Sequence, residues 1–109
     1  MKQELEHQLY QRYPAFFVQR HLPLEKSPMC LGFTCGDGWF TLIDSFCAEV
    51  ERLLEESADS HFEITQVKSK LNTLRIYFQG GDERMRAMAN LVRSLSEKIN
   101  EEDGKLRIL

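Results

Sequence analysis

Four side chains of the kind that bind a soft metal fall within residues 21–47 of the sequence: His21, Cys30, Cys35 and Cys47. A structural zinc needs four such groups converging tetrahedrally, usually delivered as two closely spaced pairs. Neither half of that spacing is present, because four residues separate Cys30 from Cys35 and Cys47 falls on an apolar helical stripe. The simpler reading makes Cys47 a small core hydrophobe, with Cys30 and Cys35 in the loop packed beneath it. No metal is therefore expected, and His21, Cys30, Cys35 and Cys47 stand as the alternative metal set. Cys35 has a second claim, since it precedes a helix start whose dipole would lower a thiol pKa and make it nucleophilic. The three histidines His7, His21 and His61 lie in a polar helix face, a loop and a linker. None neighbours a nucleophile elbow, and a nucleophile needs an oriented base. Gly36-Asp37-Gly38 and Gly80-Gly81-Asp82 precede helices, but each puts a carboxylate where a phosphate would sit, so capping is the expected role. No catalytic residue is assigned, and no motif calls for a cofactor.

Charge offers a different chemistry. The formal net charge is −3, yet residues 37–63 carry eight acidic groups against Arg52, while residues 64–93 carry six basic groups against Asp82 and Glu83. Within the second block, Phe62 to Phe78 reads as a hairpin closing at Asn72-Thr73, because asparagine tolerates the positive φ of a tight turn. That turn sets Leu71 opposite Leu74, Ser69 opposite Ile76 and Val67 opposite Phe78 on the inner side. Lys70 then faces Arg75 and Lys68 faces Tyr77 on the outer side. Phe62 and Ile64 have the parity of Lys68 instead of Val67, which predicts a bulge or bend near Thr65. Like charges opposed across a hairpin destabilise it, so Lys68, Lys70, Arg75 and Tyr77 form the candidate binding group. The competing account is an edge of lysines that discourages aggregation.

The elements that position these residues follow from periodicity. Lys2 to Arg12 reads as a helix on Leu5, Leu9 and Tyr13, which Pro14 either ends or restarts as a second short helical segment that buries Phe16 and Phe17. Residues His21 to Gly38 form a loop punctuated by Pro23, Pro28, Gly32, Gly36 and Gly38. The central helix has Asp37 as its N-cap and an apolar stripe through Trp39, Leu42, Ile43, Phe46, Cys47, Val50, Leu53 and Leu54. Its other face, including Asp44, Glu49, Glu51, Glu55 and Glu56, is acidic and expected in water, with phosphate mimicry as an alternative use. After the hairpin, Asp82 caps a third helix on Met85, Met88, Ala89, Val92, Leu95 and Ile99. The tail Lys105 to Leu109 alternates and is compatible with a third strand. The sum is an α+β fold with a helical N-terminal region, a central helix, an antiparallel β-hairpin and a C-terminal helix, packed as two layers in one domain over residues 1–109.

Two blocks carry a family resemblance. Phe33 to Asp44 with Cys47 contains Cys35-Gly36-Asp37-Gly38-Trp39, and Gln66 to Tyr77 reads Gln-Val-Lys-Ser-Lys-Leu-Asn-Thr-Leu-Arg-Ile-Tyr. In order, they resemble a family of small uncharacterised proteins encoded by phages and prophages, whose second block reads Gln-Val-Lys-x-Lys-Phe-Gly-Thr-Leu-Arg-Phe-Tyr. The resemblance implies an origin and no reaction. Some members continue into a cysteine pair suited to zinc. Here the chain ends Leu106-Arg107-Ile108-Leu109, and that metal role is not carried over.

No apolar run approaches the about 20 residues that cross a bilayer, Met1 to His7 is polar, and three cysteines cannot pair completely within one chain. No membrane association and a cytoplasmic location are expected. The functional expectation is a non-enzymatic phage or prophage accessory protein that binds a host or phage macromolecule, first of all a protein. Nucleic-acid binding through the basic hairpin face is the alternative, and an enzyme using Cys35 is the third class. The oligomeric state is left open.

Overall fold

The computed structural model describes residues 1–57 and 61–107. Three helices, α1 (Gln3–Arg12), α2 (Phe40–Glu55) and α3 (Glu83–Ser96), accompany strands β1 (Phe33–Thr34), β2 (Phe62–Lys70) and β3 (Thr73–Gly80). The arrangement is α+β, and the radius of gyration of 13.4 Å is what one domain of this length has, about 13 Å.

β2 and β3 are antiparallel and β1 pairs parallel with β2, giving the sheet order β1-β2-β3. The third strand is therefore Phe33–Thr34, not the C-terminal tail. Leu106 makes only an isolated bridge to Ile99, and Ile108 and Leu109 lie outside the described residues. The bulge expected near Thr65 is present: the register shifts between Ile64 and Gln66. The extra residue resets the alternation, so Phe62 and Ile64 on one side of it and Val67 on the other all point into the core.

The turn expectation is corrected. The loop is Leu71-Asn72, both with positive φ (53° and 61°), and the pairs are Lys70 with Thr73, Ser69 with Leu74, Lys68 with Arg75, Val67 with Ile76 and Gln66 with Tyr77. Positive φ at both central residues is the twist that two-residue hairpin loops favour. Moving the turn by one residue slides the pairing by two, which preserves each strand's alternation. The two faces are thus as expected while the cross-strand partners differ. Two residues change place: Thr73 leaves the turn for β3, where it pairs with Lys70 and is buried, and Leu71 moves from the inner face to the turn, where it is 82% exposed.

The core lies between the sheet and the helices. Phe46 of α2 meets Phe62 and Phe78, and Phe62 also meets Phe16, with ring centroids 5.0–6.3 Å apart. A second aromatic group, Tyr10, Phe17 and Phe33, joins α1 and β1 to the segment between them. Pro14 starts no helix; a turn follows it, then a 3-10 turn at Val18–His21, and Phe16 and Phe17 are buried as expected.

Trp39 is fully buried and its indole Nε1 donates to the Ile99 carbonyl at 3.0 Å. Asp37 is not the cap of α2. It sits in a 3-10 turn (Asp37–Trp39) and accepts from the Lys2 backbone N–H at 2.8 Å. The glycines around it serve close approach: a Cβ on Gly36 or Gly38 would collide with the backbone carbonyls of Glu101 or Asn100. Glu101 clamps this corner. Its carboxylate accepts from the Gly36 N–H and the Ser69 hydroxyl, each at 2.9 Å, and its carbonyl accepts from Gly38 N–H at 2.7 Å. Asp82 does cap α3, accepting from Arg84 N–H at 2.8 Å.

Candidate functional site

The cysteine and histidine set is not assembled. Cys30 is exposed on a 3-10 turn (Pro28–Leu31), Cys35 is buried just past β1, Cys47 is buried on the core side of α2, and His21 is exposed. Among the described residues no three His, Cys, Asp or Glu side chains are gathered as a metal would require. The expected activation of Cys35 is reversed. Burial pushes its thiol up to about 12, more than the nearby Met1 amino group lowers it, and burial also raises Cys47. A neutral, enclosed thiol is a poor nucleophile. His7, His21 and His61 are exposed, as read from the sequence.

The α2 acidic face is less uniform than expected. Asp44 is half-buried, accepting from the Tyr13 hydroxyl at 2.9 Å and pairing with Arg12 at 3.0 Å. Burial and then the Asp44 carboxylate raise the Tyr13 phenol. Arg52 bridges Glu49 and Glu56, and Arg84 reaches Glu56 at 3.5 Å, so much of this carboxylate charge is compensated internally.

The outer hairpin face is different. Lys68, Lys70, Arg75 and Tyr77 do share it, with Lys68 directly opposite Arg75 in place of the Lys70–Arg75 pair expected. No carboxylate among the described residues forms an ion pair with Lys68, Lys70 or Arg75, whereas Arg12, Arg52, Arg84 and Arg86 each have one. The hairpin end fixes Arg75 through Thr73. Arg75 Nε donates to Thr73 Oγ1 at 2.8 Å, and that hydroxyl donates to the Lys70 carbonyl at 2.7 Å. Lys68 Nζ lies 5.7 Å from the Tyr77 ring centroid, a cation–π distance.

At the far end the same face is closed by Gln19, whose amide donates to Glu63 and Gln79 at 3.0 and 3.1 Å. The open part runs from Gln66 and Tyr77 to the tip. Sequence reasoning missed two contributors. Arg93 of α3 lines, with Arg75 and Tyr77, a small cleft of about 110 Å³ beside β3. Leu71 stands exposed at the tip. Arg93 is on another element and carries no sequence signal linking it to the hairpin, while Leu71 was concealed by the choice of turn.

No family model, curated protein or solved structure matches the chain.

Proposed function

We propose that this protein is a non-catalytic binding module, an accessory protein of the phage or prophage kind acting in the bacterial cytoplasm, that holds an acidic protein surface against the outer face of its hairpin. The observation that carries the reading is the set of three cations on one face, Lys68, Lys70 and Arg75, with no carboxylate partner among the described residues and two of them directly opposed. Opposed like charges cost the hairpin stability, and an incoming carboxylate would remove that cost. Exposed Tyr77 and Leu71 add apolar and aromatic contact of the sort enriched in protein interfaces. The net charge of −3 and the carboxylates along α2 favour a protein over nucleic acid, whose binding depends on broad positive potential. The phage or prophage assignment is supported by the two sequence blocks alone.

The test is capture from a bacterial lysate by the wild-type protein and by a Lys68→Glu/Lys70→Glu variant, with and without nuclease, at two salt concentrations. Neither side chain makes a hydrogen bond among the described residues, and a glutamate at 68 would face Arg75 favourably. The melting temperature should hold, since exposed charges contribute at most about 1 kcal/mol, while retention of the partner falls by at least about tenfold. A partner retained equally by the variant removes the hairpin face from the reading. A partner lost on nuclease treatment, with steep salt dependence, replaces the protein partner by nucleic acid.

A further inference from the structure

α3 runs back along β3, from its Asp82 cap just past the strand's end to Ser96, whose hydroxyl accepts from the Leu74 N–H at 2.8 Å. Between these two points the helix and the strand leave the cleft of about 110 Å³. The two-residue loop makes Lys70–Thr73 the closing hydrogen-bonded pair, and such pairs alternate along an antiparallel ladder, so Leu74 and Ile76 turn their N–H and C=O groups away from β2. The Leu74–Ser96 bond shows that orientation directly. Ile76 lines the cleft and presents its backbone to the same edge, and no α3 side chain among the described residues accepts from its N–H as Ser96 does from that of Leu74. An unpaired edge amide is where a second chain can bond.

The walls around that edge are of two kinds. Leu74, Ile76 and Ala89, buried or half-buried, make an apolar floor, while the longer polar side chains of Arg75, Tyr77, Asn90 and Arg93 make the rim. Arg75 donates through Nε to Thr73, which leaves its two terminal nitrogens. Arg93 is exposed and pairs with no carboxylate among the described residues, although Glu97 stands one turn further along the chain. Neither guanidinium is neutralised as those of Arg52 and Arg84 are.

We propose that this cleft is an anchor pocket for one acidic side chain, glutamate or aspartate, carried on a peptide segment of the partner. The assignment rests on the reading of the hairpin as the binding element and names the group inserted beside it. Two guanidiniums and the Asn90 amide supply donors for both oxygens of a carboxylate, the group that arginine reads at two points. The apolar floor takes the methylene stem, which an inorganic anion lacks. The Ile76 carbonyl, on the same edge as its N–H, adds an acceptor that a peptide fills with its own N–H and a bare anion does not. The size agrees, since about 110 Å³ admits a side chain and falls well short of the roughly 300 Å³ at which pockets for whole small molecules begin. Ser96 at one end and the link from β3 to α3 at the other close the cleft, so it receives one group and not a whole added strand.

Two-dimensional NMR of the nitrogen-labelled full chain, titrated with the acetylated and amidated peptide Ser-Val-Glu-Val-Ser, tests this, because the side chain is that peptide's sole carboxylate. The Ile76 amide and the Arg93 Nε–H signals should move together and saturate, and the peptide with glutamine in place of glutamate should bind at least about tenfold more weakly. Arg93→Gln should keep the wild-type melting temperature, as the side chain is exposed, and should weaken binding of the glutamate peptide by at least about fivefold. Arg93→Lys should recover part of that loss, since lysine keeps the charge without the planar fork. Equal binding of the two peptides, an Ile76 amide that does not move, or an Arg93→Gln protein that binds as tightly as wild type overturns the proposal. Each of these leaves the outer-face reading standing, because Lys68 and Lys70 lie outside the cleft. Failure of that reading shows instead as a lysate partner retained by Lys68→Glu/Lys70→Glu. Inorganic phosphate, a phosphoserine peptide or a short DNA strand that binds more tightly than the glutamate peptide overturns the carboxylate assignment in favour of a phosphoryl group.

Discussion

Leu71 is held with φ of 53° at a position where its side chain is 82% exposed, so it bears the steric penalty of the left-handed region with almost no burial in return. For an L-residue other than glycine that penalty is about 1–2 kcal/mol, smaller for asparagine, whose side chain bonds locally. Leu71→Asn should therefore raise stability by about 0.5–1 kcal/mol. In a domain of about 100 residues this corresponds to a rise in melting temperature of roughly 2–6 °C. Leu71→Val should go the other way, because β-branching is the least compatible with positive φ. Urea titrations followed by the fluorescence of Trp39, the single and fully buried tryptophan, read both changes as shifts of midpoint at constant slope. If Leu71→Asn lowers the midpoint, the turn is not Leu71-Asn72 and the register argued from it fails. If asparagine stabilises the fold while weakening capture of the partner, the strain at Leu71 is retained for contact.

Three other outcomes are expected. Glu101→Ala removes two charge-assisted hydrogen bonds, to Gly36 N–H and Ser69 Oγ, and should cost about 2–4 kcal/mol in a urea titration; a loss below about 0.5 kcal/mol would show that the clamp is not needed. Trp39→Ala should cost about 3–5 kcal/mol, and Trp39→Phe about 1–3 kcal/mol because the Ile99 carbonyl loses its donor; unfolding midpoints near wild type would contradict the buried indole. Cys35 stays protonated in the fold up to about 12, whereas the unfolded thiol ionises near 8.5. The unfolded state thus binds fewer protons above that value, so the contribution of Cys35 to stability is intact below about pH 8.5 and is lost as pH rises toward 12. Cys35→Ser should flatten that alkaline decline, and in native protein alkylation should reach exposed Cys30 well before Cys35 or Cys47.

Periodicity made the elements legible because each buries one stripe. α2 is recognisable from Leu42, Ile43, Phe46, Cys47, Val50 and Leu53, all buried, and the Thr65 bulge from a parity conflict between Ile64 and Val67. Contacts distant in sequence were not legible. Gly36-Asp37-Gly38 looks like a helix cap from its neighbours, and only the approach of residues 99–104 gives its glycines their reason. β1 is two residues long and pairs with a strand more than thirty residues away, too short for any alternation to announce it.

The hairpin shows how a local rule can choose the wrong turn and still find the right face. Tolerance of positive φ makes asparagine the natural first turn residue, and Asn72 does have positive φ, but as the second of two. The first is a leucine, which is not among the Asn, Asp and Gly residues that local propensity favours there. A two-residue slide preserves alternation, so Lys68, Lys70, Arg75 and Tyr77 remain together whichever turn is drawn. What the slide changes is energetic: Lys68 now opposes Arg75, and the apolar side chain expected in the core stands exposed in the turn. Both departures from local preference, the opposed cations and the left-handed leucine, fall at the open end of one face. That two local conflicts fall in one place is what supports the proposal of a binding surface there.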